Sequence, residues 1–383
     1  MSIHAAPVQG HCEPRFARLH EAFQSLLDSG ADLGASMALT VDGRMVADLW
    51  GGHCDEARQQ PWQADTLTHV WSTTKTMTAL CALVLADRGE LDLDAPVARY
   101  WPEFGAAGKG GVLVRHLLGH SSGVSGFADP MTLAGLCDWD DCVDRLARQA
   151  PWWTPGSASG YHALNYGHLV GEVIRRISGL KTGRFLAEHI TGPLGADFHI
   201  GLPAEALSRV ARVVPPPPLD IDFGALPADS PALRTLTNPA PDARISWDPA
   251  WCAADLGALN GHGHARSVVQ VQTAVACDGE TAGRRLLSPA TVARIFEPQA
   301  DGVDLVLGVP LRMGIGYGLP AAVLPYLPGG RIAFWGGWGG SIVLADADRR
   351  VCFAYMMNKM APGVVGGANA AHLVATLYGI VGP

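Results

Sequence analysis

The densest apolar run in the chain lies between a cluster of small hydroxyl residues and a glycine. Ser72, Thr73 and Thr74 suit a helix N-terminus, and Gly89 suits its end. Between them, Met77, Leu80, Cys81, Leu83, Val84 and Leu85 are too closely spaced for a surface helix, so the pattern predicts a helix buried in the middle of the protein. Residues 14–28 read differently. Phe16, Leu19, Phe23, Leu26 and Leu27 share one face, which predicts an amphipathic helix stopped by Gly30. Residues 35–41 read as a strand, Asp42-Gly43 as a hairpin turn, and residues 45–50 as the partner strand.

Further on, helical spacing recurs over residues 112–118, 140–149, 164–177 and 183–189, so the middle of the chain is expected to be mostly helical. Residues 213–249 change character: Pro215, Pro216, Pro217 and Pro218 are consecutive, and more prolines follow, which predicts an ordered loop lying over a surface. Residues 265–277 and 288–296 read as helices. Strand-like pieces follow at 314–319, 331–335, 341–345 and 351–357, and residues 368–381 close the chain as a helix. Strands at both ends with helices between predict an α+β fold. Residues 1–85 and 265–383 would form a sheet-containing domain, and residues 86–264 a mostly helical domain inserted into it.

Composition narrows the function. The chain has 383 residues, 48% hydrophobic and 17% charged, which is core-rich and globular. A net charge of −8 with no basic cluster argues against nucleic acid and anionic membranes as partners. The first twelve residues lack a basic region followed by an apolar one, and no run is long enough to span a bilayer. Eight cysteines without Cys-x-x-Cys spacing read as reduced core residues of a cytoplasmic protein.

Ser72 and Lys75 stand three apart at the mouth of the buried helix, so both side chains project from one face. Serine is a poor nucleophile until something takes its proton. A lysine one turn away can do so if it is neutral, and burial together with the positive helix end pushes it that way. The same helix end offers free N–H groups to an oxyanion. The plainer alternative is a capping serine with a surface lysine. A second Ser-x-x-Lys, Ser178 to Lys181, follows an apolar helical series and falls in a turn at Gly179, without that context. Gly119-His120-Ser121-Ser122-Gly123 matches the esterase nucleophile elbow, but a helix rather than a strand precedes it and a loop follows. Ser121 is therefore the competitor to Ser72. Tyr161 sits in a turn-rich approach to the 164–177 helix, where a phenol can pass protons or simply pack. Gly336, Gly337, Gly339 and Gly340 lie between two predicted strands, where a backbone or ligand can come close. His262-Gly263-His264 is weak as a metal site, and no phosphate or dinucleotide fingerprint is present. No metal or organic cofactor is expected.

Ser72-x-x-Lys75, then Tyr161, then the glycine-rich segment at Trp335 make the chain resemble the serine β-lactamase and penicillin-binding protein superfamily. Within it, the chain is most similar to the β-lactamase-like, family VIII carboxylesterases. Asp48-Leu49-Trp50-Gly51-Gly52, His116-Leu117-Leu118-Gly119-His120-Ser121-Ser122-Gly123 and Tyr355-Met356-Met357-Asn358 extend the likeness over roughly residues 30–360. The resemblance implies an antiparallel sheet flanked by helices, beside a mostly helical domain, with the site in the cleft between them. It implies that Ser72 is the acylated nucleophile, that Lys75 and Tyr161 move its proton, and that the backbone N–H groups of Ser72 and Trp338 hold the oxyanion. It leaves open which of Lys75 and Tyr161 is the base.

The departures from the family pattern matter too. Tyr161-His162-Ala163 lacks the asparagine of Tyr-x-Asn, and Trp335-Gly336-Gly337 stands where the lactamases have Lys-Thr-Gly. The literal Lys181-Thr182-Gly183 lies in the helical region and is a decoy. Without that lysine no cation holds a substrate carboxylate, and Trp335 with Gly336 and Gly337 is expected to wall the pocket, with Trp338, Trp152, Trp153 and the 213–249 stretch as further candidates. These features imply a serine carboxylesterase for small, short-acyl esters. An acyltransferase, a weak β-lactamase or a noncatalytic ligand-binding member of the fold are the alternatives.

Overall fold

The computed structural model describes residues 7–218, 222–322, 324–363 and 366–382. Residues 1–6, part of the segment read for a leader, and residues 219–221 of the proline-rich stretch lie outside the described residues.

One sheet holds strands from both ends of the chain. In order they are β1 (Gln9–Cys12), β2 (Gly34–Val41), β3 (Arg44–Gly52), β4 (Ala300–Val303), β5 (Pro310–Met313), β6 (Gly318–Leu319), β7 (Ile332–Gly336), β8 (Ile342–Asp346) and β9 (Val351–Met357). They lie side by side as β1-β3-β2-β9-β8-β7-β6-β5-β4, each antiparallel to its neighbours. The ends of the chain meet at β2 and β9, in register from Ala35 opposite Met357 to Val41 opposite Val351. The β2–β3 turn is made by Asp42 (φ 50°) and Gly43 (φ 76°), both left-handed as a two-residue hairpin requires.

Strand alternation sorts the core into two layers. Val351, Phe353, Tyr355 and Met357 of β9 face helices α1 (Ala17–Asp28) and, at the C-terminus, Ala368–Val381. Cys352, Ala354 and Met356 face the opposite side. There the small residues let helix Ala265–Ala276 lie close to β2, β8 and β9. Helix α2 (Thr74–Asp87) belongs to that second core and also packs on helices Tyr166–Ser178 and Thr182–Leu186 of the middle region. Every residue from Thr74 through Leu85 is buried, so α2 has no solvent face.

The helices and central strands read from the sequence lie where expected, within a residue or two at their ends, except that the helix read over 183–189 is α-helical over Thr182–Leu186 and runs on through a π turn, Ala187–Thr191, to Leu194. The edge strands β1 and β4, and β5 beside β4, have no counterpart in the reading, and of residues 314–319 only Gly318–Leu319 is strand. β1 and β4 are short and largely exposed, so no apolar alternation marks them, and they become strands by pairing with an edge already formed. Ser178 is the last helical residue before left-handed Gly179 (φ 77°), not a residue of the following turn. Among the described residues, no helix is long and apolar enough to cross a membrane.

Candidate active site

Ser72 lies in a short 3-10 turn, Trp71–Thr73, that runs straight into α2. Trp71 holds the turn in a left-handed conformation (φ 49°), which a bulky residue rarely adopts. The tight entry keeps Ser72 and Lys75 together: Lys75 Nζ is 3.0 Å from Ser72 Oγ. The amine is 1% exposed. Its other neighbours are two carbonyl oxygens, of Ala163 at 2.9 Å and Ala258 at 3.0 Å. Burial among neutral groups holds the Lys75 amine well below its usual range.

Tyr161 reaches the same point from the middle of the chain. Lys75 Nζ lies 4.8 Å from the centre of its ring. The indole N–H of Trp335 donates to its hydroxyl at 3.3 Å. Burial pushes the phenol above its ordinary range, and hydrogen bonds to Ser72 and Trp335 offset this only in part. Both shifts have one cause: burial disfavours the charged form of each group. A neutral amine beside a neutral phenol is the favoured state, and an ammonium–phenolate pair is not. The backbone N–H groups of Ser72 and Trp338 meet no acceptor among the described residues. Trp338 sits in the loop between β7 and β8, where the flanking Gly337, Gly339 and Gly340 N–H groups are all bonded.

Ser72 and Tyr161 open onto a cleft with about 750 Å³ of empty space, open solvent included. Its walls are apolar: Trp71, Trp251, Trp338, Leu133, Leu236 and Leu307 among them. Among the described residues no lysine or arginine lines it. Asp242 is at its edge, occupied in capping the Ala243–Trp247 turn through the N–H of Arg244.

The walls differ from the sequence reading in two respects. Trp335, Gly336 and Gly337 do not line the cleft. Trp335 lies behind Tyr161 with ring centroids 5.2 Å apart. A Cβ on Gly337 would come within 2.3 Å of the Val70 carbonyl, and one on Gly336 within 2.5 Å of the Gly366 nitrogen. These glycines admit other backbone segments, not a ligand. Trp152 and Trp153 are also absent from the walls, whereas the proline-rich stretch contributes Thr235, Leu236, Pro239, Pro241, Asp242 and Ile245. Ser121 is fully buried, and its hydroxyl has no hydrogen-bond partner among the described residues. Lys181 lies over the Trp139 ring in the helical region, 5.2 Å from its centre.

Sequence reasoning missed Asp304. Its buried carboxylate accepts the N–H of Tyr161 at 3.0 Å and those of Val306 and Leu307 at 2.9 Å. The available signal was an acid inside the apolar run Val303 to Leu307.

The family model described as Beta-lactamase matches residues 19–377. The chain belongs to the β-lactamase family. Among the relatives of this family member, esterase/beta-lactamase LipL of Mycobacterium tuberculosis is 35% identical over 369 residues, covering 92% of this chain and 83% of LipL. A crystal structure of a family VIII carboxylesterase superposes with a TM-score of 0.90 at 38% identity, over 97% of this chain and 99% of that one. A penicillin-binding protein homologue from Caulobacter crescentus superposes at 0.89 with 36% identity, again over 97% and 99%. The β-lactamase and penicillin-binding protein fold expected from the sequence is therefore the fold this family member has.

Proposed function

We propose that this β-lactamase-family enzyme is a serine carboxylesterase that hydrolyses small, short-acyl esters through an acyl-enzyme on Ser72. The observation that carries the reading is the buried amine 3.0 Å from the serine hydroxyl, under an apolar cleft without a lining cation. A neutral amine has two hydrogens and one lone pair. The carbonyls of Ala163 and Ala258 take the hydrogens, and the lone pair is left to Ser72 Oγ. Lys75 is then the base. It takes the Ser72 proton as Oγ bonds to the ester carbonyl carbon, and the N–H groups of Ser72 and Trp338 receive the oxyanion. As the carbon–oxygen bond to the alcohol breaks, the Tyr161 phenol gives its proton to the leaving oxygen and is reprotonated from Lys75. Water then attacks the acyl carbon, gives up one proton along the same pair, and releases the acid and the free Ser72 hydroxyl.

A β-lactam or peptide substrate carries a carboxylate, and this cleft offers it no partner, so neutral esters are favoured. The name of LipL couples esterase with β-lactamase, which makes a cephalosporin the informative comparator. The unpaired state of all eight cysteines agrees with a reducing, cytoplasmic setting.

Nitrophenyl acetate turnover by Ser72→Ala and Ser121→Ala, side by side, tests the assignment. Loss in Ser72→Ala alone is expected, together with loss of labelling by a serine-directed phosphonate. Loss in Ser121→Ala alone places the nucleophile elsewhere. Absence of turnover and labelling in the unmodified protein supports the noncatalytic reading. A panel of esters graded in acyl length, with the cephalosporin alongside, then bounds the substrate.

A further inference from the structure

The segment 119–123, which spells an esterase elbow, holds no accessible serine: Ser121 and Ser122 are both fully buried. We propose that it is a clamp for Tyr161, with His120 as the positioning residue. This rests on the role given to Tyr161 above.

The N–H groups of both residues that flank Tyr161 are fastened to His120. The carbonyl of His120 accepts the N–H of Gly160 at 2.9 Å. Its ring Nδ1 accepts the N–H of His162 at 3.1 Å. The residue does this from a left-handed conformation (φ 58°), where a side chain other than glycine is rare. Because Nδ1 accepts, the ring is neutral and carries its hydrogen on Nε2. Burial and the nearby His162 and Lys75 hold its pKa well below the usual range, so this tautomer is not disturbed near neutral pH. The ring also lies against Tyr161 itself, with centroids 5.0 Å apart, and is nearly parallel to Trp335 at 6.0 Å.

The rest of the loop completes the clamp. The His162 ring lies 2.6 Å from the Gly160 carbonyl through Nδ1 and 2.6 Å from Ser122 Oγ through Nε2. With Nδ1–H donating to the carbonyl, Nε2 accepts the Ser122 hydroxyl. From the opposite side, Asp304 takes the N–H of Tyr161 itself. Three successive peptides, at 160, 161 and 162, therefore have fixed partners. Ala163, whose carbonyl touches Lys75, follows immediately and donates its own N–H to the Tyr161 carbonyl. A shift of this segment displaces the phenol and the lysine's acceptor together, while leaving the cleft walls Trp71, Trp251 and Trp338 in place.

The test compares His120→Phe, which keeps a ring and loses the Nδ1 acceptor, with His120→Asn. Asparagine can place its amide oxygen near the site of Nδ1 and tolerates the left-handed conformation. His120→Phe should lower kcat on the order of 100-fold with KM within about twofold, as a misplaced catalytic group does. His120→Asn should recover kcat to within about fivefold of wild type, less than one neutral hydrogen bond's worth of rate. Introducing His120→Phe into a Tyr161→Phe background should cost clearly less than it does in wild type, because the part of its effect that passes through the phenol is already lost. Full additivity, equal losses in the Asn and Phe variants, or unchanged kcat in His120→Phe overturns the clamp. Should His120→Phe not fold, a hundredfold loss in a folded His120→Asn overturns it as well, and retention within fivefold supports it. Tyr161→Phe separates the two layers of argument: unimpaired turnover there refutes the role of Tyr161, whereas loss there with none in a folded His120→Phe refutes only the clamp.

Discussion

Lys75→Met isolates the protonation state on which the proposed chemistry depends. Burial depresses the pKa of Lys75 well below the usual value in the fold and favours the neutral amine, while in the unfolded chain it titrates near ~10.4. Between those two values the unfolded state binds one proton more than the native state. Stability therefore rises with pH, by about 1.4 kcal/mol per pH unit for that one proton. The contribution is complete above the unfolded pKa and is lost as pH falls toward the folded one. Methionine fills a similar volume and has no such titration. It leaves the carbonyls of Ala163 and Ala258 without their donor, a cost that does not vary with pH. The difference in unfolding free energy, wild type minus Lys75→Met, should thus climb with pH, by up to about 3 kcal/mol from pH 7 to pH 9. Urea unfolding at half-unit pH intervals reads it directly, and stopping at pH 9 keeps clear of tyrosine ionisation near ~10 in the unfolded chain. A difference that stays level across the range would show a charged lysine in the native state, and the base assignment would fall with it. The same variant should be inactive toward nitrophenyl acetate.

Three further outcomes are expected. Trp335→Phe removes the indole donor from Tyr161 while keeping the ring; one neutral hydrogen bond, about 1 kcal/mol, predicts a roughly fivefold fall in kcat with KM unchanged, measured by steady-state kinetics. Lys181→Ala should leave kcat/KM unaltered for every ester tested, since the Lys-Thr-Gly triplet lies in the helical region away from Ser72. Lys109, buried with its ammonium on the carbonyls of Ala106, Ala147 and Gln149, holds a loop to the end of the Trp139–Arg148 helix. Lys109→Met should cost about 3 kcal/mol in chemical denaturation through the acceptors it strands, with kcat little changed.

Local pattern determined a great deal here. The apolar density of α2, the short, mostly apolar runs of β2, β8 and β9, and the Asp42-Gly43 turn are written in neighbouring residues, and each of those elements formed as read. Ser72 and Lys75 were legible as a pair for the same reason, since three positions at a helix start are close whatever surrounds them. Tyr161 is different: only the family likeness, and then the folded chain, brings it beside Lys75. β1 pairs with β3 and β4 with β5 through largely exposed residues, so their own sequences carry little trace of the pairing. Gly336 and Gly337 illustrate another limit of local pattern. A glycine signals that something comes close, and its neighbours in sequence do not say whether that is a ligand or, as at Gly336 and Gly337, another stretch of backbone. Asp304 and His120 bond to the peptides around Tyr161 from distant parts of the chain, and only tertiary structure decides such contacts, because they are set by where packed elements meet and not by spacing along any one of them.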